Sequence, residues 1–163
     1  MGKSKEVKTN VMRILDQKKI AYQPHCYEDT GAVSGKAVAE VLGQDVSQVF
    51  KTLVTVGGTK KNYVFVIPVH KELDLKKAAS AVQEKKIEMI KTKELLPLTG
   101  YVHGGCSPVG MKKFFKTVVD ETAASQDTIM FSAGKIGYQV EVSPEDLKKV
   151  IDFNFADITK ELL

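Results

Sequence analysis

The amino-acid sequence predicts an α+β fold: a mixed, strongly curved, barrel-like β-sheet with helices packed against it. Three observations carry that expectation. Apolar residues recur at helical spacing near both ends of the chain, an apolar hairpin pattern fills residues 49–69, and three further strand-like runs lie between Thr117 and Val142. With 163 residues and no internal repeat, low-complexity tract or linker, residues 1–163 are expected to form one domain.

From Ser4 onward, Val7, Val11, Ile14 and Leu15 share a helical face, and Lys18 and Lys19 close the pattern where a helix dipole favours cations. Residues 20–27 read as a short edge strand, because Pro24 would remove a ladder donor from a central one. Ser34 and Gly35 open a second helix with Val38, Val41 and Leu42 on its apolar side, and Gly43 stops it. Residues 49–56 and 63–69, separated by Gly57-Gly58-Thr59, read as a β-hairpin. A helix over 73–82 follows, then a strand over 87–90 and a helical turn over 92–96 that ends at Pro97. Beyond the glycine-rich segment 104–110, strands are expected over 117–120, 128–131 and 138–142. Ser143-Pro144-Glu145-Asp146 has the cap, proline and acids of a helix start, with Leu147, Val150 and Ile151 as its buried stripe. Phe153 and Phe155 are expected to pack the tail.

Composition narrows the function. Hydrophobic residues make up 43% and charged residues 27%, the balance of a soluble globular protein. No apolar run approaches the roughly 20 residues of a membrane span, and no signal-peptide core follows the basic start, so a cytoplasmic protein is expected. Cys26 and Cys106 form no Cys-x-x-Cys pair, and His25, His70 and His103 are dispersed, so neither a disulfide nor a metal or other cofactor is expected. The net charge of +4 favours an anionic partner; Arg13 is the one arginine, and lysines suit phosphate attraction better than base reading.

Three segments stand apart from the core-forming runs. Lys51 interrupts the apolar strand 49–54, where it is either a lysine snorkelling from a sheet edge or a site cation. Residues 104–113 combine Gly104, Gly105 and Gly110 with Cys106, Ser107, Pro108, Lys112 and Lys113. This resembles a phosphate-binding loop only superficially, because Met111 stands where the loop lysine belongs, and an ATPase is excluded. The third segment, Ser132-Ala133-Gly134-Lys135, places a hydroxyl and a cation at a strand end. Neither Ser132 nor Cys106 has a base at recognisable spacing, so a protein nucleophile is not indicated.

Taken in order, Val49-Phe50-Lys51-Thr52-Leu53, Leu73-Asp74-Leu75-Lys76-Lys77-Ala78-Ala79, Thr99-Gly100-Tyr101-Val102, the Gly104 to Gly110 loop with its G-x-x-x-P signature, and Ser132-Ala133-Gly134-Lys135 resemble the YbaK/EbsC family of bacterial aminoacyl-tRNA deacylases. These are relatives of the editing domain of prolyl-tRNA synthetases, and the resemblance spans almost the whole chain. It implies that Lys51 is the catalytic cation. It also implies a substrate site formed by Tyr27, Thr52, Gly104, Gly105, Ser107, Pro108, Ser132 and Gly134. Lys112, Lys113 and Lys135 flank it as tRNA contacts. The implied substrate is cysteinyl-tRNA, above all cysteine on proline tRNA, cleaved in trans by the substrate's own thiol; prolyl-tRNA synthetase is the implied partner. The chain departs from the family at Ser34, where relatives carry an aromatic residue, and at Gln139, where they carry aspartate; the segment between Tyr27 and Gly35 is also shorter. These departures bear on amino-acid preference. The alternative is a noncatalytic tRNA-binding or synthetase-associated module.

Overall fold

In the computed structural model, residues 7–32 and 34–162 are described. Helix α1 (Asn10–Gln17) begins later than the apolar pattern predicts, and Ser4, where that pattern starts, lies outside the described residues. Thr9 decides the start: its Oγ1 accepts from the Met12 N–H at 3.2 Å, so Val7 stays outside the helix and Val11, Met12 and Leu15 carry the buried face. Helix α2 (Gly35–Leu42) is bounded as expected, with the Ser34 Oγ accepting from the Ala37 N–H and Gly43 in the left-handed region at φ +66°.

Strands β2 (Phe50–Gly57) and β3 (Asn62–Pro68) form the expected antiparallel hairpin, in register Phe50 to Pro68 through Val56 to Asn62. β5 (Ile87–Met89) pairs antiparallel with β2, while β6 (Lys116–Asp120) runs parallel to β3 and β9 (Asn154–Ala156) parallel to β6. The resulting five-stranded sheet, in order β5-β2-β3-β6-β9, is mixed. A second sheet has the order β1-β8-β7, with β1 (Gln23–Cys26) on its edge beside β8 (Tyr138–Val142) and β7 (Ile129–Ser132) beyond. Pro24 therefore sits where a missing N–H is tolerated. Among the described residues the ladders stay open, with β5 and β9 as free edges, rather than closing into a barrel. An isolated parallel bridge from Val49 to Met130 joins the two sheets.

The five-stranded sheet is covered on both faces. Phe50, Val54, Val64 and Val66 join α1 and the three-stranded sheet in one core cluster. Tyr63, Phe65 and Ile67 face the other way, against helix α3 (Leu75–Val82). Both clusters follow from the period-two alternation of β2 and β3.

Four features differ from the sequence expectation. Leu73 belongs to a short strand β4 (Lys71–Leu73), and Asp74 caps α3 by accepting from the Lys76 and Lys77 N–H groups. Helix α4 (Thr92–Thr99) continues past Pro97 and ends when the Thr99 Oγ1 donates to the Leu95 carbonyl and the Gly100 N–H to that of Leu96. Helix α5 (Pro144–Leu147) is a single turn, although Ser143 caps it as expected. The tail after Phe153 forms two strands, β9 and β10 (Thr159–Glu161), the latter antiparallel to β4. Asp120, 1% exposed, pins that tail: its carboxylate accepts from the Ile158 N–H and from the Thr122 N–H and hydroxyl.

Candidate active site

The cavity arises where two strands diverge from one edge of β2. At one end, Val49 is bridged to Met130 of β7; at the other, β5 pairs only with Thr55, Val56 and Gly57. Between them the outer edge of β2 has no strand partner. The Val49 carbonyl accepts from the Val69 N–H and the Gly57 N–H donates to Lys61, so odd-numbered residues of β2 address β3. Alternation turns the Thr52 N–H and carbonyl toward the open edge, and the Val54 carbonyl meets the Ile90 N–H there at 3.4 Å. The gap is roofed by the first turn of α2, the start of α4 and the His103–Cys106 loop, leaving a cavity of about 430 Å³. That size suits an aminoacyl group with part of a nucleoside.

Lys51 is half-buried and lines this cavity. Burial pushes its ammonium below the ordinary lysine range, and the field of Glu72 opposes the shift only in part. Lys51 forms none of the ion pairs among the described residues. Among the described residues the other formal cation on the wall is Lys91, and no aspartate or glutamate lines the cavity. A half-buried cation that forms no ion pair, its charge offset only in part by Glu72, creates a positive potential suited to an anion or to charge that develops during a reaction. Beside it, the Thr52 Oγ1 is buried without a hydrogen-bond partner, a state whose cost a ligand donor or acceptor would relieve.

Among the other expected site residues, Tyr27, Gly104 and Ser132 line the cavity with Lys51 and Thr52. Gly104 takes φ +90°, while a Cβ there would meet Ile136 at an ordinary 3.7 Å; backbone conformation, not crowding within the protein, favours glycine. The Ser132 Oγ accepts from the Gly134 N–H at 3.0 Å, which fixes the turn after β7. Gly105, Ser107, Pro108 and Gly134 are not on the cavity wall. Ser107 is fully buried and accepts from the Val109 N–H, so it shapes the loop from behind. Gly134 lies against Tyr101 and Val11, each about 3.0 Å from where its Cβ would be. Lys112, Lys113 and Lys135 are exposed outside the cavity, with the Lys135 ammonium 5.3 Å from the centre of the Tyr138 ring.

Cys106 also reaches the cavity, but burial pushes its thiol up to about 12. It is a protonated, poorly nucleophilic group at neutral pH. The two positions noted as departures are both on the wall. Ser34 caps α2 there, and Gln139, 4% exposed, accepts from the Gln44 side chain at 2.7 Å. The Gln44 Oε1 is buried and unpartnered. Sequence reasoning missed Met89 and Ile90, which the pairing of β5 with β2 brings to the wall, and Lys91, Thr92 and Leu95, which come with the start of α4. Gly35 signalled the α2 wall in a way that only the fold explains: a Cβ there would fall 2.3 Å from the Val69 Cγ1.

Fold and cavity together define a mixed α+β protein with a half-buried lysine and an open strand edge on one cavity wall. A family model described as the aminoacyl-tRNA editing domain matches residues 30–150, and the chain belongs to that family. It is 45% identical, over 98% of both chains, to the Enterococcus faecalis protein EbsC, whose name proposes Cys-tRNA(Pro)/Cys-tRNA(Cys) deacylase activity. It is 26% identical to the proline–tRNA ligase of Lactobacillus gasseri over 74% of this chain and 21% of that much longer one. A solved structure described as a proposed trans-editing enzyme for prolyl-tRNA synthetase superposes with a TM-score of 0.82 at 24% identity, covering 92% of this chain and 94% of the other. That likeness supports the fold.

Proposed function

We propose that this protein is a trans-editing deacylase that clears cysteine from mischarged tRNA, most of all from proline tRNA. The observation that carries the reading is the cavity's combination of a half-buried Lys51 outside any ion pair with a Cys106 thiol that burial keeps protonated. The relatives' names supply the substrate class.

In the proposed reaction, the sulfur of the bound cysteine attacks its own ester carbonyl. The bond between that carbon and the ribose oxygen breaks, and the thiol proton ends on the released hydroxyl of the tRNA, leaving a cysteine thiolactone. Lys51 stabilises negative charge as it develops on the ester. Thr52 offers its hydroxyl and backbone amide to the same group, while Tyr27, Gly104 and Ser132 hold the substrate in the geometry that ring closure requires. Lys112, Lys113 and Lys135 attract the tRNA backbone. Gly105, Ser107, Pro108 and Gly134 support these contacts by shaping their loops.

The Gln44 and Gln139 amide pair favours a second reading. Gln139 on the wall accepts one hydrogen bond from Gln44 behind it, both side chains are neutral, and among the described residues no carboxylate lines the cavity; this leaves no counter-charge for a substrate ammonium, as in a module that binds charged tRNA without cleaving it. Release of free amino acid or thiolactone from Cys-tRNA(Pro) by substoichiometric protein separates the two. Multiple turnovers are expected; binding without release would replace the enzyme with the module.

A further inference from the structure

The loop between Gly110 and β6 divides its residues between two roles. Met111 and Phe115 pack against the first core cluster and hold the loop from inside. Between them Lys112, Lys113 and Phe114 face outward, and Lys116 continues the exposed row. Phe114 is 66% exposed, more than the other large hydrophobic side chains left on the surface. No ion pair among the described residues uses Lys112, Lys113 or Lys116. An aromatic ring held out on an anchored loop, among three cations, costs solvation and contributes nothing to the core.

We infer that this loop is a platform for single-stranded nucleic acid, on which Phe114 stacks against a base while Lys112, Lys113 and Lys116 hold neighbouring phosphates. The charge pattern selects this occupant. A second copy of the chain would bring three lysines against three lysines, whereas a polyanion carrying flat apolar rings satisfies both the cations and the phenyl face.

The platform is also connected to the cavity. The Lys112 N–H donates to the Thr99 carbonyl at 3.0 Å, and the Lys112 stem lies beside Gly100, so the loop begins at the C-terminal end of α4. Thr92, at the other end of α4, lines the cavity. An eight-residue helix spans about 12 Å, so the loop and the cavity lie within reach of one short single strand. The inference rests on the proposed tRNA reading only for the identity of the strand: the unpaired 3′ end of a tRNA, its last residue in the cavity and earlier ones on the loop.

The chain contains no tryptophan, so Phe114→Trp places a single indole reporter on the platform. A short single-stranded RNA ending in CCA is expected to quench it saturably, and inorganic polyphosphate of equal charge to leave it bright. In a label-free assay, Phe114→Ala should weaken RNA binding about tenfold and Phe114→Tyr should recover it. Lys112→Ala with Lys113→Ala should flatten the dependence of log affinity on log salt by about 1.4, from ~0.7 per phosphate contact. Absent quenching, equal quenching by polyphosphate, or quenching that follows protein concentration or anionic lipid vesicles instead of RNA would overturn the platform. Cleavage of charged tRNA by the unmodified protein reports on the deacylase reading separately, so either can fail alone.

Discussion

Replacing Lys51 with methionine separates catalysis from stability more sharply than other single changes in this cavity. Methionine keeps most of the apolar stem and removes the charge. If Lys51 stabilises charge in the transition state, its loss should lower the single-turnover rate about 10²- to 10³-fold, equivalent to roughly 3–4 kcal/mol. Stability should move little, or rise. Lys51 has no ion-pair partner among the described residues. The variant thus escapes the roughly 3–5 kcal/mol lost when one half of a buried pair is removed. Linkage gives the sign. Burial holds the folded-state pKa of Lys51 below its ordinary value of 10.5, so the fold penalises the charged form. That penalty is fully present below the depressed pKa and disappears only as pH rises through 10.5, so at neutral pH the native protein carries it and Lys51→Met does not. The expected result is a melting temperature equal to or above that of the parent, measured by calorimetry near pH 7.5, with cleavage of Cys-tRNA(Pro) lost. Undiminished cleavage would refute the assignment of Lys51. A fall of more than about 8 °C, roughly 2–4 kcal/mol in a chain of this size, would refute the claim that Lys51 is a functional rather than a structural cation.

The other expectations use the same structure. In the native protein a chromogenic disulfide reagent at pH 8 should titrate one thiol, the exposed Cys26, and a second, Cys106, only after denaturation. Cys106→Ala should retain cleavage, and its complete loss in a folded variant would point to a protein nucleophile. Gly35→Ala should cost about 1–3 kcal/mol by overpacking against Val69 and should raise KM by displacing the α2 wall; an unchanged melting temperature would contradict the close approach of helix and strand. Gly104→Ala should lower kcat/KM through strain at positive φ and a methyl group on the cavity wall, with the variant's turnover as the check.

The hairpin β2–β3 was legible in the sequence because alternation and the Gly57-Gly58 turn specify it locally. The beginning and end of α2 were equally legible from Ser34 and Gly43, whose chemistry acts within one turn. The strands β4, β9 and β10 were not, since each is three residues long with too little apolar pattern to mark it and pairs with a strand far along the chain. Asp120 and Ile158 show why: the contact that fixes the tail links residues 38 positions apart. Lys51 could be singled out as a break in an apolar strand and Gly104 as part of a glycine-rich loop, while Thr52 followed only from the family resemblance. Lys91 and Thr92 could not, because what brings them to the cavity is the docking of α4. Gly105, Ser107 and Pro108 share the glycine loop's composition, and the fold turns them behind the wall rather than onto it.

The central claim is that the substrate's own thiol does the chemistry while the protein positions it, and the most direct test compares cysteine with serine on the same proline tRNA. The two esters differ in one side-chain atom, and sulfur is the stronger nucleophile at neutral pH. With saturating protein in a single turnover, Cys-tRNA(Pro) should be cleaved rapidly with thiolactone as the first product, and Ser-tRNA(Pro) should survive. Cleavage of both at similar rates, or release of free cysteine with no thiolactone under trapping conditions, would contradict substrate-assisted cleavage and assign the attack to water.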